Sequence, residues 1–306
     1  MYRIGVDLGG TNIAVGIVTK EGEMVHKDSI KTEADQGAEH VLSRLENFCK
    51  QIIEEKNLEI EYVGIGVPGS CDYKTGIVEF APNIDFKNIN LKDRLEKFLN
   101  LPVCVENDAS CAAIGEAVSG SAKNYNYAMV LTLGTGVGAG LIVNGKVERG
   151  RIEVGHQTID INGPACGCGN VGCFEAFSSA TALIRDTKVT AYRYPDSLIN
   201  KIVKNVDDIE AKTVFDAADA GDIIAKKLIQ NYTFYLGVGI NNLLNVHPLE
   251  VVVLGGGIAA QGETIIRPLM GFLQKRAFGG ELKAEIKQAQ LGNDAGIIGA
   301  AMMSDF

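Results

Sequence analysis

Two stretches of this chain, 125 residues apart, carry one pattern: an apolar strand, a glycine turn and a second apolar strand. The first is YRIGVDLGGTNIAVGIV from Tyr2, and the second is YAMVLTLGTGVGAGLIVNGKV from Tyr127. At that shift of 125, Leu8 falls on Leu133, Gly9 on Gly134, Ala14 on Ala139, Ile17 on Ile142 and Val18 on Val143. Glycine supplies the turn dihedrals that let an apolar strand double back on itself. The repeat predicts a duplicated fold, two related α/β domains facing each other across a cleft. Chance likeness between two Gly-rich hairpins is the alternative.

Length supports two domains, because 306 residues suffice for two cores. Hydrophobic content of 46% with 22% charged residues fits a soluble globular protein, and a net charge of −9 argues against general nucleic-acid binding. No apolar run reaches about 18 residues and no basic leader precedes one, so a cytoplasmic protein without a membrane segment is expected. Residues 36–56 place Val41, Leu42, Leu45, Phe48, Ile52 and Ile53 at helical spacing. Residues 90–99 and 263–276 also read as helices, as do ASCAAIGEAVSG, stopped by Gly120, and DAGIIGAAMM near the end. YVGIGVPGS, LPVCVEND, EVVVLGGG and AEIKQAQL read as strands, and 179–246 as mainly helical up to His247-Pro248.

The stretch HQTIDINGPACGCGNVGCFE, His156 to Glu175, gathers one histidine and three of the seven cysteines. His156, Cys166, Cys168 and Cys173 suit tetrahedral zinc closed by one imidazole and three thiolates. Gly163, Gly167, Gly169 and Gly172 let the loop fold four side chains onto one point. Free thiols or a disulfide are the alternative. Two carboxylates, Glu153 and Glu175, bracket the cluster. Cys49, Cys71, Cys104 and Cys111 stand singly and read as reduced core residues.

Three glycine turns each follow an apolar strand: Asp7-Leu8-Gly9-Gly10-Thr11-Asn12, Leu133-Gly134-Thr135-Gly136-Val137-Gly138 and Leu254-Gly255-Gly256-Gly257. Glycine lets backbone N–H groups approach an anion, so each is a candidate phosphate turn. The dinucleotide-like run Gly255 to Ala260 has only about fifty residues after it, too few for a dinucleotide-binding domain. Gly140 to Val147 resembles a P-loop but has Val147 where Ser or Thr is required. Val105-Glu106-Asn107-Asp108 ends a strand and starts a helix. Asp108 there is either an N-cap or a carboxylate presented to take a proton from a hydroxyl.

Together these residues resemble the ROK family of repressors and sugar kinases, and within it the bacterial glucokinases. The resemblance rests on Asp7 to Thr11, Glu106-Asn107-Asp108, Leu133 to Gly136, Glu153 to His156, Cys166 to Glu175 and Gly255 to Gly257, and it covers essentially the whole chain. It implies a two-domain actin-like, ribonuclease-H-like α/β fold with the active site in a cleft between domains. The small domain would be 1–108 completed by a C-terminal helix 291–306. The large domain, 109–290, would carry the zinc loop and a dimerisation surface. It further implies an ATP- and Mg2+-dependent hexokinase with a structural Zn2+, acting on the sugar 6-hydroxyl, as a homodimer. Asp7, Gly9, Gly10 and Thr11, with Asn12 in the same turn, would lie at the phosphate–magnesium site. Gly134, Thr135 and Gly136 would form the second phosphate turn, and Gly255, Gly256 and Gly257 would approach the adenosine. Asp108 would be the base, with Gly69, Ser70, Asn83, Asn107, Glu153, His156 and Glu175 binding the sugar.

Two departures bear on substrate and class. Many family glucokinases carry Pro-Asn-x-x-Gly-Trp, whereas Pro82-Asn83 is followed here by Ile84-Asp85-Phe86 and the chain has no Trp. Family repressors carry a helix-turn-helix ahead of the first strand, which begins here at about residue 2. The competing expectations are an N-acetylmannosamine, fructose or allose kinase, or a non-catalytic sugar sensor. Because the nucleotide turns lie apart from the metal loop in sequence, metal loss is expected to loosen Glu153, His156 and Glu175 and to spare the turns.

Overall fold

A computed structural model describes residues 1–150 and 152–306. Thirteen strands are described: β1 Tyr2–Leu8, β2 Asn12–Val18, β3 Met24–Lys31, β4 Ile60–Val67, β5 Ser70–Asp72, β6 Ile77–Ala81, β7 Phe86–Asn90, β8 Val103–Asn107, β9 Ala128–Leu133, β10 Val137–Val143, β11 Lys146–Val147, β12 Val251–Gly255 and β13 Glu285–Gln288. The helices are α1 Ala38–Lys56, α2 Leu91–Leu99, α3 Asp108–Ser119, α4 Glu175–Ser178, α5 Ala180–Arg193, α6 Ile199–Ile202, α7 Thr213–Asp219, α8 Ile223–Val246, α9 Glu263–Arg276 and α10 Ala295–Met302.

The duplication is visible in both strand ends and strand order. At the 125-residue shift, β1 and β9 end together on Leu8 and Leu133, and β2 and β10 share both ends, Asn12 with Val137 and Val18 with Val143. The two large sheets run β3-β2-β1-β4-β8 and β11-β10-β9-β12-β13, so the repeated hairpin occupies the same place in each. In the first, β1–β2 and β2–β3 are antiparallel while β1–β4 and β4–β8 are parallel. The chain divides into two compact units: 1–130 with 140–152 and 289–306, and 131–139 with 153–288. By this division α3 belongs to the first unit.

In the first unit, the apolar stripe of α1 (Val41, Leu42, Leu45, Phe48, Ile52) is buried against Ile4, Val6, Ile13, Val15 and Ile65 of the sheet. The other face receives α10. A Cβ at Gly5 would fall 1.9 Å from the Ile297 carbonyl oxygen, and one at Gly64 would fall 1.8 Å from that of Ala300. Glycine in these two central strands therefore lets a helix backbone lie directly on the sheet. The three-stranded sheet β5-β6-β7 is an addition that the hydrophobic pattern does not announce. Its strands are three to five residues long and mix buried, half-buried and exposed positions, too short for a period-2 signal. In the second unit, α8 is the central helix, with Ala225, Ile229, Tyr232, Leu236 and Ile240 buried. No helix among the described residues is long and apolar enough to cross a membrane.

Candidate functional site

In the first unit the sheet brings two carboxylates together. Asp7, next to last in β1, is the register partner of Gly66 in β4, and Gly66 is the partner of Glu106 in β8. A Cβ at Gly66 would lie 3.2 Å from Cys111 Sγ and 3.6 Å from the Asp108 Cα, so the first turn of α3 packs against this strand. Asp7 also lies close to α10, since a Cβ at Gly296 would sit 3.4 Å from its carboxyl carbon. Burial raises the Asp7 pKa, opposed by the charge of Lys27, which is ion-paired to Asp294. Burial, and then the Asp7 charge, push Asp108 up to about 6. A carboxylate ionised at neutral pH yet basic enough to accept a proton is the tuning a general base needs.

The two readings of Asp108 separate here. Asn107 is the N-cap of α3: its Oδ1 accepts from the Ala109 N–H at 2.9 Å and the Ser110 N–H at 3.2 Å. Asp108 is the first helical residue, and its Oδ1 accepts the adjacent Ala109 N–H at 2.8 Å, while its own N–H and the Asn107 side chain also favour its charged form. Asn107 Nδ2 donates to the Gly69 carbonyl at 2.9 Å, so that amide is largely committed to structure. Ser70 donates its hydroxyl proton to Glu79 Oε2 at 2.5 Å, a carboxylate the sequence reading did not single out. Glu106 is buried, its pKa raised by that burial and opposed by the Asn107 N–H and by Arg149, whose Nη1 lies 3.3 Å from Glu106 Oε2.

The first glycine turn closes with Gly9 N–H donating to the Asn12 carbonyl at 3.0 Å. Thr32 donates its hydroxyl proton to the Gly9 carbonyl at 2.6 Å, which braces the turn. A Cβ at Gly10 would lie 3.2 Å from the Asn83 carbonyl, so Asn83 stands against the turn. Ile84 and Phe86 are core residues, Phe86 standing where that motif has Gly, while Asp85 is exposed with φ 56°.

In the second unit the turn at Gly134–Gly136 is gripped from α4 and α5. Ala180 N–H donates to the Gly134 carbonyl at 2.7 Å, and Thr181 donates its hydroxyl proton to the Thr135 carbonyl at 2.8 Å. Val137 N–H donates to Glu175 Oε2 at 2.9 Å. The third turn packs on the second, since a Cβ at Gly256 would fall 2.5 Å from the Leu133 carbonyl.

The ligand atoms of His156, Cys166, Cys168 and Cys173 lie within 4.8 Å of one another. Cys166 Sγ is 3.7 Å from His156 Nδ1, and Cys168 Sγ is 3.7 Å from Cys173 Sγ. Zinc–sulfur bonds of about 2.3 Å at tetrahedral angles set ligand atoms about 3.8 Å apart, so the donor set fits such an ion. All seven cysteines are free. Gly169 and Gly172 take positive φ in this loop, and the bridge Ala165–Val171 closes it. Since Nδ1 faces the thiolates, Nε2 is the histidine's other nitrogen. Glu153 is exposed, and its carbonyl accepts the His156 N–H at 3.0 Å.

A duplicated sheet on an antiparallel hairpin, with a carboxylate beside the first glycine turn, is the two-domain actin-like, ribonuclease-H-like α/β fold. The chain matches the ROK family over residues 3–305 and belongs to that family. A glucokinase from Thermotoga maritima is 36% identical, with 97% of this chain and 95% of that one covered. The crystal structure of a ROK family glucokinase from Streptomyces griseus, in complex with glucose and AMPPNP, has a TM-score of 0.85 at 35% identity over 98% of each chain. A xylose repressor from Bacillus spizizenii is 31% identical over 90% of this chain and 70% of that one.

Proposed function

We propose that this protein is an ATP- and magnesium-dependent hexose kinase that phosphorylates the 6-hydroxyl of glucose and holds a structural zinc. The observation that carries the reading is Asp108, freed from capping by Asn107 and raised to about 6 beside Asp7. Similarity to the glucokinases, one of them crystallised with glucose and AMPPNP, supports the substrate pair. Asp108 accepts the hydroxyl proton as that oxygen forms its bond to the γ-phosphorus. The bond from that phosphorus to the bridging oxygen breaks, and ADP leaves with the electron pair. Magnesium, when bound, neutralises phosphate charge. Asp7 and the turn Gly9 to Asn12 would hold it with the phosphates, and Gly134 to Gly136 and Gly255 to Gly257 would take the rest of the nucleotide. Glu153, His156 and Glu175, with Asn83, Ser70, Gly69 and the remaining N–H of Asn107, hold the sugar. A homodimer, as the family resemblance implies, is part of the proposal.

A coupled ADP-release assay across a hexose panel tests this. ADP release with glucose above mannose, fructose, allose and N-acetylmannosamine is expected. The similarity to a xylose repressor favours a second reading, a sugar sensor without catalysis. Sugar binding by calorimetry with no ADP release from any hexose would establish that reading instead.

A further inference from the structure

Glu175 belongs to two structures at once. Its Oε2 accepts the Val137 N–H at 2.9 Å, and a Cβ at Gly136 would come within 2.3 Å of that same oxygen. Its Oε1 lies 3.8 Å from Cys166 Sγ in the metal cluster. The residue just before it, Phe174, is fully buried, and its N–H donates to the Gln157 carbonyl at 2.8 Å, next to His156. The residues after it hold the same turn through Ala180 and Thr181. The carboxylate therefore cannot shift toward a ligand without drawing on the backbone of Gly134–Val137.

We propose that Glu175 is a positioning residue that couples sugar binding to nucleotide binding through the Val137 N–H. The inference rests on the kinase reading and adds a direction to it. A sugar hydroxyl that draws on one oxygen of Glu175 fixes the other, and with it the turn that meets the phosphates. A phosphate that orders the turn fixes the carboxylate for the sugar. Such coupling is reciprocal, because each ligand favours one arrangement of a shared element.

The test is the glucose affinity of the full protein by calorimetry, with and without saturating AMPPNP and magnesium. Wild type is expected to bind glucose about tenfold more tightly with the nucleotide present, within the usual span of binding couplings. Val137→Pro removes the one N–H at the first residue of β10, where proline is tolerated. Its coupling is expected to fall below about twofold while glucose affinity without nucleotide changes by less than about threefold. Glu175→Gln keeps an acceptor oxygen and should retain most of the coupling. Loss in that variant as complete as in Val137→Pro would assign the effect to charge and overturn the hydrogen-bond route. Undiminished coupling in folded Val137→Pro overturns the proposal as well. If Val137→Pro gives no cooperative melt, Glu175→Ala decides, since persistence of the affinity ratio there has the same consequence. Wild type that binds neither ligand refutes the kinase reading. Wild type that binds both independently overturns this inference alone.

Discussion

At the scale of single residues, Asp108 carries the proposed chemistry, and two measurements examine it. Asp108→Asn keeps the size and a hydrogen-bond acceptor but cannot take the proton. It should lower kcat by at least about 10²-fold, with glucose affinity within a few-fold, by steady-state kinetics and calorimetry. The raised pKa also fixes the sign of the pH dependence. The base works only when ionised, so kcat/KM should fall as pH drops through about 6. Because Asp7 and Asp108 interact, the measured value belongs to the pair. The same shift has a stability consequence. A carboxyl whose folded pKa lies above its unfolded value destabilises the fold once it ionises, so that loss sets in as pH rises from the unfolded value toward about 6. Asp108→Asn should therefore melt about 2–4 °C above wild type at pH 7.5 by calorimetric scanning, and no rise at pH 4 is expected.

Individual elements depend on where glycine leaves room. Gly134 and Gly136 share a turn but answer to different neighbours. A Cβ at Gly134 meets nothing within 4 Å, whereas one at Gly136 lands on Glu175. Gly134→Val should thus leave the melting temperature close to wild type and still weaken AMPPNP binding, if the open space is where a phosphate approaches. Unchanged nucleotide affinity in that variant would reduce the turn to a hairpin. Gly64→Ala should instead destabilise the fold by about 1–3 kcal/mol in urea unfolding, since its Cβ would fall 1.8 Å from the Ala300 carbonyl of α10.

On the scale of the whole molecule, the cysteine loop and the turn Gly134–Gly136 are one assembly. Sequence separation predicts that metal loss spares the nucleotide turns, but Glu175 joins the cluster to Val137 across 38 residues. Elemental analysis should find about one zinc per chain. Chelation or Cys168→Ser should weaken glucose and AMPPNP binding together in protein that remains folded. Selective loss of glucose binding alone would restore the separation that the sequence suggests.

The chain's linear pattern determined a great deal: the duplicated hairpins, the long helices, the four-ligand cluster and the three glycine turns. Each of these is encoded locally, by a periodicity, a turn residue or a ligand spacing. The short strands of β5-β6-β7 escaped that reading because three to five residues of mixed exposure carry no periodic signal. The choice between Asn107 and Asp108 as cap escaped it too, since adjacent polar residues of similar capping propensity are told apart only in the folded chain, where Asn107 Oδ1 takes the Ala109 and Ser110 N–H groups. Register across β1, β4 and β8 decided that Asp7 and Asp108 titrate as neighbours, and the fold of 174–181 over the second turn decided that Glu175 faces a backbone N–H. Those are contacts between residues far apart in the chain, and they come into being only when strands pair and helices dock.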